Sequence, residues 1–576
     1  MYVIATAGHV DHGKSALLRA LTGMEPDRWE EERRRGLTID LGFVWTGPIA
    51  FVDVPGHERF VGNMLAGIGP VPAVLFVVAA DEGWMPQSAE HLTALDALGV
   101  RHGILAVTKA DVMEPDLAAE EALDRLRGTS LDGIPWVGVS ARTGAGLAEL
   151  RGALDQLVAR LPPGDPDAPV RLWVDRAFTI RGAGLVVTGT LAAGTIRVGD
   201  TLELARTGKK YAVRELQSMN QHVDAAVGVA RVALNLRGAH RSEIERGDAL
   251  MTLGSYRGTT VVDIRTRRCT PDDLPPGLLV HIGAATVDCA VRPVGADTAR
   301  LTLGTPLPLR VGDRVVLRHD RGVAGGGVVL DVDPPGFNRR GAARRRAGEL
   351  DGYGDAPDGL AELRRRGIVR EGTLRAVGVE PPVPALTGDW LVDPDLAGTL
   401  RTRLAALVAD RAADPSAPPL RVEDARRLLD LPDVRLVPAL LSTGLAIRDG
   451  MVVGAGAPDT LAATVRDALA LLEKRDAGFY LPAEDELAAM GLRAPEIAAA
   501  VRAGRLVRLA PDVVLLPATM GRAVAVLADL PQPFTAGEAR EALHTTRKVI
   551  VPLLEHLAMA GRTRRDADGR HRVTGR

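Results

Sequence analysis

The stretch Gly8-His9-Val10-Asp11-His12-Gly13-Lys14-Ser15 constrains this chain more than any other. The apolar run Tyr2-Val3-Ile4-Ala5 precedes it, and Leu17, Leu18 and Leu21 follow at helical spacing. Strand, glycine-rich loop and helix in that order make a phosphate cradle. Gly8 and Gly13 let the backbone wrap so that the N–H groups of the loop point inward. Lys14 brings a charge to the β- and γ-phosphates, Ser15 offers its hydroxyl to Mg²⁺, and the helix N-terminus adds its positive dipole end.

Two further motifs follow in order. Asp53-Val54-Pro55-Gly56-His57 comes after the apolar strand Ile49-Ala50-Phe51-Val52. Asp53 at a strand end can reach Mg²⁺ through water, and Gly56 can turn its N–H onto a γ-phosphate, which a sensor of the third phosphate needs. Between the cradle and this motif lies Arg33-Arg34-Arg35-Gly36-Leu37-Thr38-Ile39-Asp40, a charged loop suited to ordering and disordering. Its Thr38 would offer a hydroxyl to Mg²⁺. The third motif, Thr108-Lys109-Ala110-Asp111, ends the apolar strand Gly103 to Val107. The Asp111 carboxylate can accept from guanine N1–H and N2–H₂, donors that adenine lacks, so adenine would leave it unpaired. Lys109 would stack over the base, and Ser140-Ala141 would close the pocket on the guanine O6. Thr108 stands where asparagine is usual, which should weaken one polar contact. The motifs fit a doubly wound parallel sheet that binds GTP or GDP with Mg²⁺ at its strand ends.

A chain of 576 residues, 46% hydrophobic, exceeds what one core can organise. No apolar run is long enough to span a bilayer, and the opening residues lack a signal-peptide layout, so a cytoplasmic, membrane-free protein is expected. Cys269 and Cys289 lack the spacing of zinc ligands or of a disulfide framework. From about 168 to 337, short alternating Val/Leu/Thr/Gly runs predict two antiparallel β-barrels. Beyond the basic junction Asn338 to Arg346, helical stretches alternate with apolar strand pairs, as in tandem α+β winged helices. The divisions read as 1–165 for the nucleotide domain and 168–256 and 257–337 for the barrels. Four winged helices follow at 338–405, 406–456, 457–518 and 519–576.

Gly8 to Ser15, Gly36-Leu37-Thr38-Ile39 and Asp53 to His57 resemble the translational GTPases of the elongation factor Tu group. The resemblance implies that His57 is the catalytic residue that positions the attacking water, behind an apolar gate of Val10 and Leu37. Thr38 to Phe43, Asp175-Arg176-Ala177-Phe178 and Ile180 to Gly189 are similar to the bacterial selenocysteine-specific elongation factors (SelB). That resemblance implies a pocket on the first barrel for the selenocysteinyl group, with Asp175, Arg176 and Arg246 as candidates. A selenol is more acidic than an alcohol, so guanidiniums there would favour it over the serine precursor.

In the last winged helix Thr535 caps a helix with Glu538 three residues on, and Thr545 and Thr546 open a second one. Pro552 inside that second helix should kink it. Nine Arg/Lys stand against five Asp/Glu from 531 to the end, an excess that points to phosphate. Thr546, Arg547 and Lys548 at the helix start and Arg562, Arg564, Arg565 and Arg570 in the wing are the candidate mRNA contacts. The expected function is a monomeric, ribosome-stimulated GTPase that carries selenocysteinyl-tRNA to UGA codons, tethered to an mRNA hairpin. A general tRNA-carrying factor and a GTP-sensing winged-helix DNA-binding regulator are the other readings.

Overall fold

The computed structural model describes residues 1–26, 38, 40–69, 71–182, 184–320, 322–413, 417–448, 450–454, 462–475, 482, 484–511, 513–566 and 569–574. Two compact units result: Met1–Arg365 with Val369–Val383, and Arg366–Ile368 with Pro384–Arg576. No helix among the described residues is long and apolar enough to cross a membrane.

The first unit opens with β1 (Tyr2–Ala7), α1 (Lys14–Thr22), β2 (Gly42–Thr46), β3 (Ile49–Asp53), α2 (Val61–Ile68), β4 (Ala73–Ala79), α3 (Pro86–Leu98), β5 (His102–Thr108), α4 (Asp116–Leu126), β6 (Trp136–Gly138) and α5 (Leu147–Arg160). The sheet order is β2-β3-β1-β4-β5-β6, with β2 antiparallel to its neighbour and the rest parallel. Every residue of β4 is buried, as a central strand covered on both faces requires. Leu17, Leu18 and Leu21 of α1 pack with Ile4, Phe51, Leu75 and Ile104 in one core. That core fixes the strand ends from which the three motifs emerge.

Two antiparallel barrels follow. In the first, Arg171–Trp173, Ala249–Thr252, Thr201–Leu204, Lys210–Ser218, Ala230–Leu236, Gly184–Leu191 and Arg176–Ile180 are hydrogen-bonded in that order. The sheet curls so far that a Cβ on Gly189 would lie 2.4 Å from the Trp173 carbonyl oxygen. The second is a closed barrel of six strands between Thr259–Arg267 and Gly322–Asp331. Arg171 joins the two through a bidentate pair with Asp313, both bonds 2.6 Å. On the second barrel, Val323 N–H donates to Glu90 of α3 at 3.3 Å.

The junction expected to be a basic stretch is partly interior. Arg346, on the helix Ala342–Asp351, is 1% exposed and donates to Asp263 and Asp331 of the second barrel. Arg300 shares Asp263, and Arg365 shares Asp331.

In the second unit, three stretches repeat a helices-then-hairpin plan. Pro394–Ala413, Val422–Leu428 and Leu436–Ala439 precede the hairpin Leu445–Arg448/Met451–Gly454. Ala463–Arg475, Glu484–Ala489 and Ala494–Arg502 precede Val507–Ala510/Val513–Leu515. Pro517–Ala528, Ala536–Ala542 and Arg547–Met559 precede Thr563–Arg565/His571–Val573. Each has its own core, around Leu404, Leu469 and Leu553 respectively. The expected first copy, 338–405, differs. It holds the helices Ala342–Asp351, Gly359–Arg366 and Glu371–Ala376, two three-residue strands, Ile368–Arg370 and Trp390–Val392, and the start of a longer helix. The helix Pro394–Ala413 runs across the expected 405/406 boundary because Leu400, Leu404 and Val408 bury one continuous helical face. Pro552 does not interrupt Arg547–Met559.

Candidate functional site

Gly8 has φ 128°, and a Cβ there would lie 2.0 Å from the Val77 carbonyl oxygen, so only glycine fits. Lys14 Nζ donates to the carbonyls of Gly8 (3.0 Å) and His9 (2.6 Å), which curls the cradle around its charge. Asp11 and Gly13 take positive φ, 65° and 81°. Burial, then the Lys14 charge, holds His9 below the ordinary imidazole range. His12 is fully buried, and burial pushes it down to about 4.

Ser15 Oγ donates to Asp53 at 2.6 Å and lies 3.0 Å from Thr38 Oγ1. Thr6 fixes the other Asp53 oxygen at 2.9 Å. Three hard oxygen donors therefore converge beside the cradle, a donor set that suits Mg²⁺. A Cβ on Gly56 would lie 2.6 Å from both Lys14 Nζ and Val10 N, so the second motif rests directly on the first. The half-buried His57 follows. Its Nδ1 accepts the Arg59 N–H at 3.2 Å, which assigns the proton of the neutral ring to Nε2. Arg33 to Leu37, with the gate residue Leu37, and Ile39 lie outside the described residues.

At the base end, Thr108 does more than its expected weaker contact. Its hydroxyl donates to the His12 carbonyl at 2.7 Å and so ties β5 to the cradle. Lys109 Nζ is held by Asp81 (3.1 Å) and Glu82 (2.6 Å). Partial burial alone would lower its pKa; the two carboxylates more than offset this and raise it. Ser140 donates to Asp111 at 2.6 Å and Arg142 at 2.7 Å, and together they hold Asp111 below the usual carboxylate range. Gly13, Thr108, Lys109, Asp111, Ala141 and Arg142 line a cleft of about 650 Å³.

Sequence reasoning missed two residues that brace the cradle from α3. Gly8 N–H donates to His91 Nδ1 at 3.0 Å, and Val10 N–H to Gln87 Oε1 at 2.9 Å. Burial, then the charges of Lys14 and His9, pushes His91 down to about 3, so it stays a neutral acceptor. Their four-residue spacing on a helix was the available signal.

The barrel pocket needs one correction. Asp175 is buried and accepts from Thr188 at 2.7 Å and from both ends of the Arg231 guanidinium, 2.8 Å at Nη2. Arg176 turns away from Asp175 and bonds Asp40 (2.9 Å) and the Leu41 carbonyl. Both guanidiniums face the Phe43 ring, with Arg231 at 3.8 Å and Arg176 at 5.3 Å from its centroid. Arg176, Arg231, Phe43, Phe178 and Thr188 line a cavity of about 340 Å³. Arg246 is not among its lining residues. It lies in the turn before Ala249–Thr252, 3.8 Å from Asp40 and 3.4 Å from the Gly62 carbonyl of α2. Strand pairing instead brings Arg231 beside Asp175, and its signal was a lone arginine in the apolar run Ala230 to Leu234.

In the last helical stretch, Thr535 and Glu538 form a reciprocal cap. Thr546, Arg547 and Lys548 are exposed at the start of Arg547–Met559, and Arg562, Arg564, Arg565 and Arg570 are exposed around the hairpin. Arg564 reaches Asp566 at 3.4 Å, and Arg570 donates to the Pro533 carbonyl at 3.3 Å.

Residues 1–160 match the profile of the elongation factor Tu GTP binding domain, and residues 184–251 that of elongation factor Tu domain 2. Elongation factor Tu 2 of Streptomyces avermitilis is 32% identical over 376 residues, 57% of this chain and 96% of that protein. The chain belongs to the elongation factor Tu family of translational GTPases.

Within that family, residues 525–572 match the profile of the elongation factor SelB winged helix. The selenocysteine-specific elongation factor of Desulfomicrobium baculatum is 39% identical over 350 residues, 57% of this chain and 55% of the relative. That of Escherichia coli K12 is 40% identical over 349 residues, 59% and 56% respectively. The chain thus spans about half the length of these curated relatives. A crystal structure of a bacterial selenocysteine-specific elongation factor, EF-Sec, covers 100% of both chains with TM-score 0.71 and 26% identity.

Proposed function

We propose that this translational GTPase carries selenocysteinyl-tRNA to the ribosome in the cytoplasm and is tethered to an mRNA hairpin by its last winged helix. The observation that carries the reading is the cavity in which Arg231 and Arg176 face the Phe43 ring, with Asp175 behind Arg231. A selenolate is an anion near neutral pH, and two guanidiniums can donate to it. The hydroxyl of a seryl precursor is neutral and gains only ordinary hydrogen bonds. A hydrogen bond to a charged group contributes about 1.5–3 kcal/mol, so discrimination of about 10- to 160-fold is within reach of this pocket.

The reaction is transfer of the γ-phosphoryl group of GTP to water, giving GDP and phosphate. The cradle and Lys14 hold the phosphate chain, and Asp111, oriented by Ser140, reads guanine. Ser15, Thr38 and, through water, Asp53 would hold Mg²⁺, which neutralises charge on the β- and γ-oxygens when bound. His57, with its proton on Nε2, orients the attacking water once the ribosome engages the factor. Loss of the γ-phosphate frees Thr38 and Gly56, and cargo affinity falls. In the last winged helix, Arg547, Lys548 and the wing arginines supply charge for an RNA backbone, and the adjacent Thr546 hydroxyl is a hydrogen-bond donor.

One comparison tests the reading: binding of selenocysteinyl-tRNA, seryl-tRNA, a UGA-proximal RNA hairpin and duplex DNA with GTP present. Preference for the first over the second, with hairpin over duplex, is expected. Equal binding of the two tRNAs would favour a general carrier, and preference for duplex DNA a regulator.

A further inference from the structure

Asp40 sits between the nucleotide and the cargo cavity. Two residues before it, Thr38 Oγ1 lies 3.0 Å from Ser15 Oγ. Asp40 itself holds the Arg176 Nη2 at 2.9 Å, and the next carbonyl, of Leu41, takes the same nitrogen. Three residues further on, Phe43 lies under the guanidiniums of Arg176 and Arg231. Thr38 at one site and Asp40 to Phe43 at the other are therefore close neighbours in the sequence. Two residues of chain span at most about 7 Å, so a Thr38 that moves by more than about twice that reach draws Asp40 off Arg176.

The way Arg176 is held leaves it usable. Asp40 and Leu41 both engage Nη2, and no acceptor among the described residues takes up Nη1. A planar guanidinium pinned along one edge presents the other in a fixed direction. Arg246 adds a second barrel contact, lying 3.8 Å from Asp40 while reaching the Gly62 carbonyl of α2.

We propose that Asp40 is a positioning residue that couples cargo recognition to the nucleotide. With Thr38 docked at Ser15, Asp40 holds Arg176 so that its free edge serves the anionic group of the aminoacyl cargo. When Thr38 departs after hydrolysis, Asp40 goes with it and Arg176 loses that orientation. The proposal rests on the selenocysteinyl reading above and assigns its regulation to one carboxylate.

The test measures affinity of the full chain for selenocysteinyl-tRNA and seryl-tRNA, each with a non-hydrolysable GTP analogue and with GDP. Wild type, Asp40→Asn and Asp40→Glu are compared, with analogue affinity as the control for an intact nucleotide site. Asp40→Asn should lose about tenfold or more of its selenocysteinyl-tRNA affinity in the analogue state, the worth of one charge-assisted hydrogen bond. Its GDP-state affinity and its seryl-tRNA binding should stay at wild-type values. Asp40→Glu, which keeps the charge, should recover part of the loss and carries the test if the asparagine variant does not fold. An unchanged analogue-to-GDP ratio in the folded variants overturns the coupling while leaving the cargo reading intact. Equal binding of the two tRNAs by wild type overturns the cargo reading, and the coupling with it. Equal losses for both tRNAs would mark Asp40 as a general brace and also overturn the proposal.

Discussion

Replacing His91 by leucine tests whether α3 holds the cradle in its binding conformation. The leucine keeps an apolar body of similar size in the buried site but removes the acceptor for the Gly8 N–H, now 3.0 Å from Nδ1. An unsatisfied buried donor costs about 1–3 kcal/mol. Without nucleotide the loop can turn that peptide toward water and escape the cost; with phosphates in the cradle it cannot. The penalty therefore falls mostly on the bound state, and GDP affinity should drop by about 5- to 150-fold, chiefly through faster release. Stopped-flow release of a fluorescent GDP analogue, alongside equilibrium titration and a thermal melt, measures this. Gln87→Ala should weaken binding in the same direction through Val10 N–H. The double variant should be non-additive by about 0.5 kcal/mol or more, since both residues brace one loop. Because burial holds His91 down at about 3, wild-type affinity should show no inflection near pH 6.5 from this residue. Affinity within twofold of wild type for a stably folded His91→Leu would refute the bracing argument.

Asp111→Asn replaces an acceptor of two guanine donors and should weaken GTP by about 100-fold or more while improving xanthosine triphosphate, read by competition. His57→Ala should leave nucleotide affinity unchanged and cut ribosome-stimulated phosphate release by about 10²- to 10⁴-fold in a single-turnover assay. Arg547→Ala should weaken RNA hairpin binding and reduce the slope of log K against log salt by about 0.7. Acid should destabilise the first unit through its buried histidines. Their folded pKa values, about 4 for His12 and His281 and about 3 for His91, lie below the ordinary 6.5. The unfolded chain thus takes up protons first, and stability present above pH 6.5 is lost as pH falls toward 4. By pH 5 each contributes a loss of about 2 kcal/mol. Urea titrations at pH 7.5 and 5 check this, and no difference between them would count against it.

The nucleotide end was legible because local order carries it: a strand, a loop and a helix adjacent in sequence are adjacent in space. Gly8, Lys14 and Ser15 could be read for that reason, as could the Thr535/Glu538 cap, where three residues close the hydrogen bonds. The cargo cavity was only half legible. Asp175 and Arg176 are neighbours in sequence yet face different partners, because Asp175 lies in the bend before the strand that Arg176 opens. Arg231, the partner of Asp175, arrives 56 residues later through barrel pairing that no local pattern announces. Arg246 enters through the family resemblance, although its turn directs it to Asp40 and the Gly62 carbonyl instead. The first winged-helix copy was misdrawn because 3.6-residue periodicity locates a helix but not the layer it belongs to, so Pro394–Ala413 was cut in two.

The junction helix carries a different lesson. Asp263, Asp331, Arg300 and Arg346 are each under a tenth exposed and depend on one another for charge balance. Deleting Asp263 strands Arg300 in the interior, at a cost of about 3–5 kcal/mol, and deleting any of the others leaves a buried ion with one partner fewer, whereas exchanging the whole set for apolar residues of similar volume need cost nothing. Drift at these four sites must therefore be concerted. Relatives should either retain the quartet intact or have replaced it wholesale, with single-site departures rare, and a collection of related genes can be tallied for that pattern.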